Sequence, residues 1–166
     1  MYIKKKFFKF KMKKIIFIFL FILLSNKSFA ASSSSDSGGK NDRYKSAERL
    51  VLKAKKLEEK NKTEKALKLY SRAYDRLLKA YEKDKKNPDI LNYLGFTLRK
   101  KGDFKNAEIY YLKGLELDSD HPGINEYLGE LYVETNRINL AKERLEVLRG
   151  CNCEEFQELQ EIIEKK

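Results

Sequence analysis

"NYLGFTLRKKGDFKNAEIYYLKGLELD", residues 92–118, decides the fold. Leu94 and Leu98 recur at helical spacing, and so do Ala107, Tyr111 and Leu115. Each set lines one face of a helix. Gly102-Asp103 interrupts the pattern between them, and glycine is the residue that ends a helix at least steric cost. The stretch therefore reads as two short helices joined by a tight turn. It carries no residue that does chemistry.

Compared with itself, the chain shows one period. Pro88 and Pro122, Leu94 and Leu128, Gly95 and Gly129, and Ala107 and Ala141 are each 34 residues apart. A period of that length with helical patterning predicts stacked helix pairs, none of which can bury its apolar face alone. Gly95, Ala107, Gly129 and Ala141 are the small residues that let helices approach closely. Asn61, Gly102 and Asn136 share one repeat position between helices, where a left-handed backbone is expected. Asn87-Pro88 reads as an N-cap followed by proline in the first turn, and His121-Pro122 repeats it. The single histidine, His121, is thereby a turn residue.

These residues resemble the tetratricopeptide repeat family. The likeness runs through Leu91, Leu94-Gly95 and Leu98, then Ala107, Tyr111, Gly114 and the segment "LELD". A second unit follows with Leu128-Gly129, Tyr132, Ala141 and Leu145; its Asn125 and Leu148 depart from the pattern and predict loose packing. Leu50, Ala54, Leu57, Ala66, Tyr70 and Ala73 give an earlier, divergent unit. Ala54 and Ala66 precede Gly95 and Ala107 by 41 residues, which predicts two extra turns on the second helix of that unit. The resemblance implies an all-α, right-handed superhelical stack. Its expected parts are a divergent repeat over 44–87, repeats over 88–121 and 122–150, and a capping helix over 153–165. The tail after Arg149 also resembles that of some small exported bacterial members.

The ends of the chain carry separate signals. Lys4 to Lys14 supply seven lysines before the apolar run Ile15 to Leu24, and Ser28-Phe29-Ala30 follows. This order predicts a signal peptide over 1–30, cleaved after Ala30, and a periplasmic protein. Retained, the same segment would tether the chain to a membrane. The Ser- and Gly-rich stretch over 31–43 reads as a flexible leader, with the folded domain spanning 44–166.

Charge then loses its face value. The full chain carries 36 basic and 25 acidic residues, but eight of the basic ones lie in the signal. Nucleic acid is not an expected partner. Residues 31–105 hold 21 basic and 11 acidic residues, and residues 106–166 hold 7 and 14. The expected domain is a dipole; two solvated helix faces account for it, and steering of charged partners is the alternative.

No catalytic or cofactor-binding constellation is present in the sequence: one histidine permits neither a clustered metal site nor a partnered triad, and no phosphate loop occurs. The chain is expected to be no enzyme and to hold no cofactor or metal. What the family resemblance implies instead is a protein–protein interaction scaffold with a groove for a protein or peptide segment. Position by position, the groove would be lined by Asp89, Asn92, Phe96, Arg99, Lys100, Glu126, Glu130, Val133 and Glu134, with Val51, Lys55 and Glu58 from the first unit. Phe96 and Val133 are the expected apolar anchors, with the alternative that Phe96 packs on the capping helix or on the elongated second helix of the first unit. Arg99 and Lys100 would meet acidic groups of the partner, and Glu130 and Glu134 basic ones. The alternative function is thiol redox or metal binding through Cys151 and Cys153, whose separation by one residue leaves their pairing open.

Overall fold

The computed structural model describes residues 40–166, with side chains from Asp42. The expected signal and cleavage site, and most of the leader, lie outside the described residues. Seven helices and no strand occur among the described residues: α1 (Lys40–Glu58), α2 (Thr63–Lys83), α3 (Pro88–Lys100), α4 (Phe104–Leu115), α5 (Pro122–Glu134), α6 (Ile138–Leu148) and α7 (Glu154–Glu164). They form an all-α repeat stack, in which α1 and α2, α3 and α4, and α5 and α6 pair and α7 closes the end against α5 and α6. Helix α1 begins at Lys40, inside the stretch read as leader.

Every turn inside a pair is built the same way. Asn61, Gly102 and Asn136 have φ of 55°, 83° and 60°. Their N–H groups donate to the carbonyls of Glu58, Arg99 and Val133 at 2.8, 2.9 and 3.1 Å. The next residues, Lys62, Asp103 and Arg137, donate to Leu57, Leu98 and Tyr132 at 2.8, 3.0 and 2.7 Å. This is the paired-bond closure that satisfies helix-end carbonyls through one left-handed residue. Replacing Asn136 by alanine should cost about 1 kcal/mol in a denaturant titration, because alanine lacks the short polar side chain whose local hydrogen bonding lets asparagine adopt the left-handed region. Asn136→Gly should cost less than Asn136→Ala; equal losses would exclude backbone strain as the cause.

Helix starts follow the side chains too. Asn87 accepts the Ile90 N–H at 3.2 Å. Asp103 accepts that of Asn106 at 3.3 Å. The ring Nδ1 of His121 accepts that of Ile124 at 3.2 Å, which leaves Nε2 to face Asp89 Oδ1 at 3.2 Å. His121 is thus the cap its position suggested, and as an acceptor at Nδ1 it carries its proton on Nε2 toward Asp89.

Small residues set the helix spacing. A Cβ on Gly95 would sit 2.6 Å from the Tyr111 ring, so α3 and α4 touch where no side chain fits. Gly129 behaves differently: its missing Cβ faces Leu159 of α7 at 2.5 Å. The repeat equivalent of Tyr111 is Leu145, a smaller side chain, and Leu159 occupies the approach to the glycine. Ala66, Ala107 and Ala141 are fully buried.

Two departures from the repeat pattern are resolved by chemistry. Asn125 is completely buried, yet its amide nitrogen donates to the carbonyls of Ser119 and His121, and its oxygen accepts from Arg144. A satisfied polar group belongs in a core, so the expected looseness is corrected. The second helix of the first pair runs for 21 residues, against 12 and 11 in the later pairs. Its extra turns continue a buried stripe through Leu77 and Ala80, and Tyr81 meets Tyr110 edge-on at 6.2 Å.

Candidate functional site

The first helices of the pairs, α1, α3 and α5, neighbour one another and share an inner face. Phe96 lies at its centre with 2% exposure. Its ring meets Tyr70 at 5.7 Å, Tyr127 at 4.8 Å and Tyr93 at 6.5 Å. Over that ring stand Arg99 at 5.6 Å, Lys55 at 5.8 Å and Lys100 at 5.9 Å. The expectation that Phe96 and Val133 are open apolar anchors is therefore corrected: both are core residues, Val133 at 4% exposure. Tyr70, on the long α2, packs edge-on against Phe96. Val51 is buried as well.

The expected charge complementarity is corrected in the same way. Arg99 Nη1 bonds Glu130 Oε2 at 2.7 Å and also Glu134. Lys100 pairs with Glu58 at 2.8 Å, and the Tyr70 hydroxyl donates to Glu58 at 2.8 Å. Burial alone would lower the Arg99 guanidinium, but Tyr111, Glu130 and Glu134 outweigh it and hold the group above its ordinary value. Cations of α3 thus meet acids of α5 and α1 before any partner does. The repeat interval causes this, since it sets Glu130 and Glu134 opposite Arg99 on the adjacent inner helix.

Lys55 is the exception. It makes no ion pair among the described residues and stands 5.8 Å from the centre of both the Phe96 and Tyr127 rings. Asn92 and Glu126 are buried beside this region, and Asn92 Oδ1, Glu126 Oε1 and Arg99 Nε lack hydrogen-bond partners. Asp89 is exposed and tied to His121. The sequence-derived set is thus brought onto one face, divided between buried residues and a charged rim. Tyr93 and Tyr127 were missed, although the two tyrosines stand 34 residues apart and that recurrence was readable.

Desolvation, then the Glu158 and Glu130 carboxylates, push the Glu126 carboxyl far above its ordinary value of 4.5, against a smaller opposing pull from Lys55. As pH rises above 4.5 the unfolded chain releases this proton while the folded chain keeps it, so the folded state binds more protons and loses stability. Glu126→Gln cannot ionise. Its stability relative to the parent should therefore improve from pH 4.5 to pH 8 in paired thermal melts; a difference that stays flat would show that Glu126 folds ionised.

At the far end, Cys151 and Cys153 form a disulfide with Cα atoms 5.2 Å apart, which is ordinary spacing for such a bridge. No group of three or more His, Cys, Asp or Glu side chains able to hold a metal occurs among the described residues.

Residues 88–121 match the family model described as the tetratricopeptide repeat. The chain carries a tetratricopeptide repeat (TPR). The crystal structure of the Yersinia enterocolitica type III secretion chaperone SycD in complex with a peptide of the translocator YopD is similar to this chain, with 19% identity, 73% of this chain and 88% of that chain covered, and a TM-score of 0.52. An alternative dimer of the Yersinia enterocolitica SycD matches at 19% identity over the same shares, with a TM-score of 0.51. At such identity the likeness shows the TPR fold. No curated protein matches the chain by sequence.

Proposed function

We propose that this TPR domain is a non-enzymatic adaptor whose inner face docks an extended segment of a protein partner. The observation that carries the reading is Lys55: an ammonium with no ion pair among the described residues, held over two aromatic rings of the inner face. A peptide laid across α1, α3 and α5 would bring an acidic group to Lys55. The fold shared with SycD, whose structure holds a YopD peptide, supports the reading by analogy. Because Arg99 is taken up by Glu130 and Glu134 and Lys100 by Glu58, specificity would come from Lys55, the Tyr93 and Tyr127 edges and the exposed rim.

The test is selection of peptides from a random library on the protein, followed by titration of the best binder. Lys55→Glu should weaken it roughly tenfold to a hundredfold, the value of one charge-assisted hydrogen bond. Circular dichroism of Lys55→Glu should show the parent's helical content, so that lost affinity reports a lost contact and not a lost fold. Binders indifferent to Lys55→Glu would contradict the assignment.

The cellular place proposed is the periplasm of a bacterial envelope, on the strength of the basic and apolar N-terminal order and the small residues ending at Ala30. Mass spectrometry of the protein from its native cells should find a chain starting at Ala31; a chain retaining its first 30 residues would point to a tethered form.

A further inference from the structure

Cys151 and Cys153 are joined across a single residue, Asn152, whose φ of 51° holds the turn. A bridge over so short a loop removes little freedom from the unfolded chain, because that restraint grows with loop length. Nor does it tie two helices together. A purely structural role thus leaves the bridge largely unexplained, while its position suits chemistry. Cys151 is exposed. Cys153 is half-buried and occupies the cap position of the 11-residue α7, where its side chain makes no capping hydrogen bond. The first-turn N–H groups of a helix lack intrahelical partners and favour negative charge, so they would receive a Cys153 thiolate.

We infer that the Cys151–Cys153 bridge, apart from the inner face, is a thiol–disulfide exchange centre for exposed dithiols of a client chain. A client thiolate attacks Cys151 Sγ, the more open sulfur, and forms a mixed disulfide. The Cys151–Cys153 bond breaks, and its electron pair leaves on Cys153 Sγ at the start of α7, where it takes up a proton. The second client thiol then loses its proton and attacks the client sulfur of the mixed disulfide. Cys151 departs as thiolate and is protonated. The client dithiol has been oxidised by two electrons, and the bridge has been reduced by two electrons and two protons. Return to the disulfide needs a disulfide oxidant such as oxidised glutathione. With only two cysteines in the sequence, the reduced chain has no third thiol to divert the cycle. Glu154 and Glu155 in the first turn of α7 oppose a Cys153 thiolate and restrain the rate.

The test incubates the oxidised full chain with a synthetic dithiol peptide and, separately, with glutathione buffers of graded ratio, then counts free thiols by maleimide mass tagging. One peptide disulfide should form per chain while two tags appear on the protein, and the bridge should titrate within the glutathione range. Glu154→Gln should quicken reduction about two- to fivefold, the worth of one charge at a helix start, with the circular dichroism spectrum unchanged. A Cys151→Ser, Cys153→Ser double variant should leave the peptide reduced. A bridge that stays oxidised in every buffer and leaves the peptide untouched would mark it as structural. Equal reduction rates for the parent and Glu154→Gln would remove the helix start from the mechanism.

Discussion

Phe96→Ala should destabilise the protein by about 3–5 kcal/mol, the usual cost of emptying a buried aromatic site. A ring on the inner face of a TPR groove would ordinarily be open to a ligand, and its loss would then weaken binding and little else. Here the ring meets Tyr70 of α2 edge-on, lies against Tyr127 of α5, and is overhung by Lys55, Arg99 and Lys100. Removing it takes apolar contact from three helices at once. The helices are fixed through their pairings elsewhere, so the space cannot close fully. Urea denaturation of parent and variant reads the effect directly. A loss under about 1 kcal/mol would mean that Phe96 is exposed in solution and free to serve a ligand.

The second large effect is expected at Gly95. Alanine should favour the helix by roughly 0.5–1 kcal/mol over glycine, but its Cβ would stand 2.6 Å from a Tyr111 ring that is itself fully buried. The ring is rigid and cannot fold away as an aliphatic chain end could. Overpacking of about 1–3 kcal/mol should therefore win, with a net loss. The source of the loss can be isolated by shortening the opposing residue. Gly95→Ala made in a Tyr111→Leu background should lose that penalty and show the helix preference instead, a coupling of roughly 0.5–3 kcal/mol in a double-mutant cycle. Additive behaviour of the two changes would place the strain somewhere other than the α3–α4 contact.

Much of the stack was legible because each of its requirements leaves a residue at a fixed interval. Gly95 with Ala107 set a helix spacing, Asn61, Gly102 and Asn136 set a backbone sign, and Asn87-Pro88 set a start. Such constraints are local, and only one or two residue types satisfy each. The inner face was harder to read, because which residues line it follows from the repeat while which remain open depends on residues far away in sequence. Tyr70 reaches Phe96 from another helix. Glu134 reaches Arg99 from the next pair, so the pairing follows from the repeat interval and not from the residues adjoining Arg99. Asn125 shows the same limit: it looked like a packing fault because its partners, the carbonyls of Ser119 and His121 and the Arg144 guanidinium, exist only after folding. Tyr93 and Tyr127 were legible in the 34-residue recurrence, but the groove template passes one position to their side.

The docking assignment rests on the inner face formed by α1, α3 and α5, and an amide chemical-shift map of the protein with its selected peptide tests that face most directly. Shifts are expected to concentrate around Lys55, Tyr93, Glu126 and Tyr127. If they gather instead on α2, α4 and α6, with the inner helices unperturbed, the peptide docks on the opposite side of the stack and the adaptor assignment is contradicted.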